Sequence, residues 1–230
     1  NIWISEMKKK QTPFITKNWK KARRQKQIKG VLRPKTYEPS VSISPDGNVI
    51  YFSSERTGGF GGLDLYRSER GSDKKWSIPV NLGETINTSS DEDAPFISSD
   101  GKTLYFSSKG HSNMGDYDIF ISEFTGELFD PANPSAGWTK PLNMGYPVNS
   151  ASDDIFYTVS TQSGTGYFSS NRFGGFGLMD IYKATFPVNT SSNAFVAGTV
   201  LSNDSTPAFV NVSFIDSENS GDSTVIFTDS

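Results

Sequence analysis

A chain of 230 residues can hold one large all-β domain or two smaller ones, and either length buries a sizeable core. It has no cysteine and a single histidine, His111, which excludes disulfides, thiolate metal sites and a zinc site built on histidines. The net charge of −3 hides an asymmetry, for residues 1–36 hold 12 Lys and Arg against Glu6 alone, while residues 37–230 hold 10 against 24 acidic residues. No run of about 18 apolar residues occurs, so no membrane-spanning helix is expected. The chain begins at Asn1 with neither Met nor an apolar leader, from which we expect a fragment or a processed product.

Asn1-Ile2-Trp3-Ile4-Ser5 reads as the third strand of a unit whose beginning is absent. The same phrase returns as Asp64-Leu65-Tyr66-Arg67-Ser68, Asp118-Ile119-Phe120-Ile121-Ser122 and Asp180-Ile181-Tyr182-Lys183. A basic stretch, Lys8 to Lys35, carries Trp19, and tryptophan recurs at the equivalent place as Trp76 and Trp138. Each later copy is preceded by a second phrase: Ile50-Tyr51-Phe52-Ser53-Ser54, Leu104-Tyr105-Phe106-Ser107-Ser108 and Gly166-Tyr167-Phe168-Ser169-Ser170. The step from serine to aspartate is the same in all three, Ser54 to Asp64, Ser108 to Asp118 and Ser170 to Asp180, and a fixed loop length means a fixed loop geometry. On Phe52, Phe106 and Phe168 the repeat is 54 and then 62 residues. The added length is an insertion around Leu128 to Pro134, whose prolines favour a loop.

Within one repeat, Ala94 to Ile97 predicts a first strand and Ser98-Ser99-Asp100-Gly101 a turn, where Asp100 and Gly101 supply the positive φ of a tight hairpin. Asp46 and Gly47 make the same turn one repeat earlier, whereas Ser160 to Thr165 replaces it one repeat later. Thr103 to Ser107 predicts the second strand, a Gly-rich hairpin follows, Asp118 to Ser122 is the third strand, and an outer strand lies near Trp138 to Leu142. No window shows a helical apolar period. The expected fold is therefore all-β: a partial β-propeller of four-stranded antiparallel blades over 1–186, the end of one blade and then three repeats. Three blades and a fragment do not close a ring of about four to eight. Residues 187–193 read as a linker, and 194–230 as the start of a β-sandwich, with Phe209 to Ile215 and Thr224 to Phe227 alternating.

Ser44-Pro45-Asp46-Gly47, the Ile50 to Arg56 run and Gly58-Gly59-Phe60-Gly61-Gly62-Leu63-Asp64-Leu65-Tyr66 resemble the WD40-like β-propeller repeat of TolB-type periplasmic proteins. The Gly-rich hairpin and tryptophan strand are similar to the version in Bacteroidota OmpA-family envelope proteins. There a carboxypeptidase-regulatory-like sandwich follows, which Val196-Ala197-Gly198-Thr199-Val200 and Val210-Asn211-Val212 resemble, and a peptidoglycan-binding domain often comes after it. The resemblance implies a non-catalytic periplasmic scaffold associated with the outer membrane, with envelope or secretion-machinery proteins as partners. In some family members the scaffold serves type IX secretion or gliding. Asp204-Ser205-Thr206 and Asp222-Ser223-Thr224 resemble an O-glycosylation acceptor of that envelope.

Asp64, Asp118 and Asp180 invite a metal or catalytic reading, but one copy per blade lies far apart around a ring. We read them as acceptors for backbone N–H groups of the Gly-rich hairpin. Arg56 and Arg172 follow the Ser pairs and suggest an ion pair across the hairpin. Phe60 and Phe176 are either exposed tips that anchor a partner or rings folded back on their own blade. His111 breaks the pattern in the middle blade. Glu38, Glu92 and Asp154 align across the repeats and read as an acidic rim joined by Asp91, Asp93 and Asp153, or as solvated loop charge. The basic stretch fits an anionic envelope partner or a protected sheet edge, not nucleic acid. No cofactor, no metal and no catalytic residue is expected, since Gly-x-Ser-x-Gly is absent and no acid and base pair stands out from the repeat. A carbohydrate- or peptidoglycan-binding module is the alternative function and a propeller hydrolase the third.

Overall fold

In a computed structural model of the protein, the residues described are 3–4, 23–24, 36–126, 128–160, 164–185, 211–215 and 223–227. All their regular structure is β. β1 (Trp3–Ile4) pairs with β2 (Arg23–Arg24). β3 (Val41–Ile43), β4 (Val49–Ser54), β5 (Asp64–Glu69) and β6 (Val80–Asn81) form an antiparallel sheet in that order. β7 (Glu92–Ile97), β8 (Thr103–Ser108), β9 (Asp118–Glu123) and β10 (Leu142–Asn143) form a second sheet of the same order. β11 (Asp154–Ser160), β12 (Thr165–Ser170) and β13 (Asp180–Thr185) form the third. These sheets are the blades of a partial, propeller-like fold.

The chain divides into two units, residues 1–188 and 189–230. In the second, β14 (Asn211–Ile215) pairs antiparallel with β15 (Ser223–Phe227). The remainder of the expected sandwich, the linker, Trp19 and most of the basic stretch lie outside the described residues.

Register is constant from blade to blade. Tyr66 pairs with Asn81, Phe120 with Asn143, and at the start of the chain Trp3 pairs with Arg24. The outer strands are shorter than expected: Trp76 and Trp138 stand before β6 and β10 and make isolated bridges to Arg70 and Phe124. The first strand of the second blade begins two residues earlier than expected, at Glu92, and a bulge follows at Ala94, whose φ is 51°. The third blade repeats that bulge at Phe156, φ 62°.

Both faces of a blade are covered when another blade lies on each side, which is why β4 reads as an unbroken apolar and serine run and not as an alternating one. Tyr51, Leu65, Leu82 and Ile86 of the first blade pack with Ile97, Leu104, Phe106, Phe120 and Trp138 of the second. On the far face of the first blade Ile50, Phe52 and Tyr66 pack with Trp76. Ile119 and Val148 meet Tyr157 and Phe168 between the second and third blades. The last strand, β13, does alternate, and its Ile181 is 80% exposed where the equivalent Leu65 and Ile119 are 0% exposed.

The turns between first and second strands need a left-handed residue, and Gly47 (φ 74°) and Gly101 (φ 72°) supply it. Asp46 accepts hydrogen bonds from the Ser44 hydroxyl at 2.5 Å and from the Asn48 amide at 3.0 Å, and these hold its carboxyl below the usual range. Asp100 does the same for the Lys102 and Thr103 amides. In the third blade Gly164 (φ 58°) takes the left-handed role one residue later, in a hairpin of unchanged register, Thr158 opposite Tyr167 as Phe96 is opposite Tyr105.

Candidate functional site

The Gly-rich hairpins that join the second and third strands gather at one end of the blades. The Leu63 amide, closing the first hairpin, donates to Asp91 at 2.9 Å, and Asp91 in turn accepts the Lys109 amide, opening the second, on its carbonyl at 3.0 Å. Tyr117 and Asn171 meet at Asp153 in the same way. Glycine is forced where hairpin and neighbour touch: a Cβ on Gly61 would lie 1.7 Å from the Ser90 carbonyl oxygen, and one on Gly115 2.2 Å from that of Ser152.

At the tip of each hairpin an apolar side chain points outward. Phe60 is 51% exposed, Phe176 104%, and the middle blade carries Met114 at the same step, 49% exposed. The backbone beneath each tip is tied to its own blade. The Phe60 amide donates to Asp64 Oδ2 at 2.6 Å, the Phe176 amide to Asp180 Oδ2 at 2.6 Å, and the Met114 amide to Asp118 Oδ2. Asp64, Asp118 and Asp180 are thus three separate loop clasps, and among the described residues no group of three or more His, Asp or Glu is placed to hold a metal ion.

The clasps at Asp64 and Asp118 each extend to a pair of asparagines. Asn81 donates to Asp64 Oδ2 at 2.9 Å, while its Oδ1 accepts from the Gly83 amide and from Asn87, both at 2.8 Å. Asn143 does the same for Asp118, Gly145 and Asn149. Asn87 and Asn149 are fully buried. The sequence signal for this pair was available, Asn-x5-Asn beginning at Asn81 and again at Asn143, 62 residues apart.

Glu38, Glu92 and Asp154 form neither an acidic rim nor solvated loop charge. Glu92 and Asp154 are 0% exposed, the Glu38 side chain is 4% exposed, and each carboxyl is committed within its blade. Glu38 pairs with Arg56 at 2.9 Å and Asp154 with Arg172 at 2.6 Å. The guanidinium of Arg56 stands 4.8 Å from the Phe52 ring and 4.7 Å from Tyr66, and that of Arg172 stands 5.0 Å from Phe168 and 4.8 Å from Tyr182. The carboxylates align as the repeat predicts, but their spacing does not report burial, because the arginines that pair with Glu38 and Asp154 sit in a different phrase and come alongside only by strand pairing. Asp91 and Asp153 accept hairpin amides, and Asp93 accepts the Ser53 hydroxyl at 2.6 Å.

The middle blade replaces the ion pair by a different arrangement. Gly110 occupies the arginine position because Thr88 fills the space; a Cβ there would lie 1.8 Å from Thr88 Oγ1. His111, next in the chain, puts its ring 5.9 Å from Phe106 and 5.2 Å from Phe120 and donates from Nε2 to the Ile86 carbonyl at 3.0 Å. Arg172 Nη2 makes the matching bond to Val148 at 2.6 Å. Burial lowers the His111 pKa and so disfavours a charge there. Glu92, without a cation, accepts from Thr88 and Ser108, and burial pushes its pKa up to about 7 against those bonds. Burial thus disfavours charge on both groups here, where the neighbouring blades hold an ion pair.

No family model and no curated protein matches this chain. Among solved structures it is similar to TolB from Acinetobacter baumannii, with a TM-score of 0.42 and 13% identity over 77% of this chain. It is also similar to an α-L-arabinofuranosidase from Lactobacillus brevis, TM-score 0.41 and 14% identity over 83%, and to a puromycin hydrolase, TM-score 0.34 and 12% identity over 83%. The matched region spans 37%, 59% and 33% of those chains respectively.

Proposed function

We propose that this chain is a non-catalytic protein-interaction scaffold that presents its hairpin tips to a partner. One observation carries the reading: Phe60, Met114 and Phe176 recur at one step of the repeat, all stand out at one end, and each has its own amide held by an aspartate of its blade. An exposed aromatic or methionine on a pre-ordered loop binds without ordering much chain, which is what an interface anchor requires. The carboxylates a hydrolase would use are engaged in ion pairs or enclosed by hydroxyls, which supports a binding role over a catalytic one. The resemblance of the repeat supports a periplasmic, outer-membrane-associated setting, with secretion or envelope proteins as partners and peptidoglycan attachment through a further domain.

The test is site-specific photo-cross-linking in the native envelope, with a benzophenone amino acid in place of Phe60, Met114 or Phe176 and, as control, of Lys102 at the other end of the blades. The same protein captured from all three tips and not from the control is the expected result. Capture of glycan fragments alone would move the function to a carbohydrate-binding module, and equal capture from the control would end the tip reading.

A further inference from the structure

Each Gly-rich hairpin opens on the same bond, and the second blade supports it differently. The Arg56, Gly110 and Arg172 amides donate to the Ser54, Ser108 and Ser170 hydroxyls at 3.3, 3.0 and 3.2 Å. In the first and third blades the arginine then joins that serine to the buried carboxylate. Nε of Arg56 and of Arg172 donates to the serine Oγ at 2.9 and 3.0 Å, while Nη2 reaches Glu38 and Asp154. Gly110 has no such arm, and the Ser108 hydroxyl donates straight to Glu92 Oε1 at 2.7 Å. Thr88, on the crossover from the first blade, donates to the same carboxyl from its amide and from its hydroxyl, both at 2.7 Å. Glu92, 0% exposed, thus holds the base of the second hairpin together with the crossover beside it.

Among the described residues no ion pair reaches Glu92, and the charged groups on the elements packed against β7 are engaged elsewhere. Arg56 is paired with Glu38 and Arg172 with Asp154, and Lys109 Nζ lies 4.6 Å from the centroid of the Tyr117 ring. Asp64 of β5 and Asp118 of β9 clasp their own hairpins, and Asp153 accepts the Tyr117 amide. Asp91 and Asp93, on either side of Glu92, accept the Leu63 amide and the Ser53 hydroxyl. Burial disfavours a charge on His111. Ionising an enclosed carboxyl forfeits solvation that its hydrogen bonds return only in part, whereas in an opened hairpin the same group ionises in water. The open form therefore binds fewer protons, and rising pH favours it.

We propose that Glu92 makes the second hairpin a pH-gated element, closed while the carboxyl holds its proton and opening as it ionises, while the arginine-bridged first and third hairpins stay closed. The folded pKa of about 7 stands above the ordinary 4.5, so between those values the open form gains about tenfold per pH unit, and above about 7 the gain levels off. The whole change is roughly 300-fold. This hairpin carries Met114, so its tip is held in one geometry on the acidic side. That consequence rests on the reading of the tips as anchors; the gate itself does not.

The test is amide hydrogen exchange on the ¹⁵N-labelled 230-residue chain from pH 5 to 8, each rate divided by the intrinsic rate of that amide. The equivalent Arg56, Gly110 and Arg172 amides serve as one another's controls. Protection of the Gly110 and Thr88 amides should fall by about tenfold per pH unit up to about pH 7 and then level off, with that of Arg56 and Arg172 unchanged. Glu92→Gln should make the Gly110 and Thr88 protection flat across the range. Should that variant not fold, the three equivalent amides of the unaltered chain decide by themselves. A flat profile for Gly110, a parallel fall in all three blades, or a slope that survives Glu92→Gln would each overturn the proposal. No partner enters the measurement, so its failure leaves the tip reading to the cross-linking test.

Discussion

Asn87 closes both hydrogen-bonding groups of Leu65, its Oδ1 accepting the Leu65 amide at 2.7 Å and its Nδ2 donating to the Leu65 carbonyl at 3.0 Å. A side-chain amide thus acts as one residue of a further strand. Asn149 makes the same two bonds to Ile119, both at 2.8 Å.

Replacing Asn87 by alanine leaves two buried backbone groups and Asn81 short of partners. We expect a loss of roughly 2–4 kcal/mol in urea unfolding. Asn149→Ala should cost a similar amount, and Asn87→Asp should not recover it, because aspartate has no donor for the Leu65 carbonyl.

Asp64→Ala removes the acceptor for the Phe60 and Gly61 amides and for Asn81, with an expected cost of about 2–3 kcal/mol. The more specific reading is hydrogen exchange. The Phe60 amide should exchange far faster in this variant while that of Phe176 is unchanged, since each tip is held by its own blade.

Arg172→Met strands the buried carboxylate of Asp154 with donors from Ser150 alone, for an expected loss of about 3–5 kcal/mol. Adding Asp154→Asn should restore a large part, because the neutral amide still accepts the Ser150 amide. A double variant no more stable than Arg172→Met would mean the arginine acts through its packing on Phe168 and Tyr182.

Glu92 should make stability depend on pH in an uncommon direction. Its folded pKa of about 7 lies above the ordinary value of 4.5, so between the two the folded chain holds more protons than the unfolded one. Its contribution is fully present below pH 4.5 and is lost as pH rises through about 7. At about 1.4 kcal/mol per pKa unit, the loss is on the order of 3 kcal/mol. Glu92→Gln, whose amide can donate to the Thr88 and Ser108 hydroxyls while its oxygen accepts the Thr88 amide, should remove that slope in denaturation measured from pH 5 to 8.

Phe176→Ser should leave stability within about 0.5 kcal/mol, as expected for a fully exposed side chain, and yet abolish cross-linking from the remaining tips if all three engage one partner.

The blades were legible because their phrases recur at fixed steps, and a fixed step carries both strand and turn. The aspartates were legible for the same reason, since a carboxylate after a Gly-rich loop has amides to accept. Burial of Glu38, Glu92 and Asp154 was not, because spacing reports alignment along the chain and says nothing of the partners that folding sets alongside, an arginine for Glu38 and Asp154 and the Thr88 and Ser108 hydroxyls for Glu92. His111 stands out in the sequence as an exception to the repeat, but its reason lies in Thr88, which denies Gly110 a side chain and is far away in sequence. The insertion around Leu128 to Pro134 reads as a loop, and nothing in its prolines announces that Phe129 covers Arg67.

The crossover from one blade to the next also bears on how the molecule comes apart. Asn87 serves the strand behind it and Asp91 the hairpin behind it, although both stand at the threshold of the blade ahead. A protein pulled from its carboxyl end would therefore loosen blade by blade, each detaching strand taking with it the clasp of the one before. A fragment meant to fold alone should be cut after the second asparagine and the aspartate that follows it, Asn87 and Asp91 for the first blade.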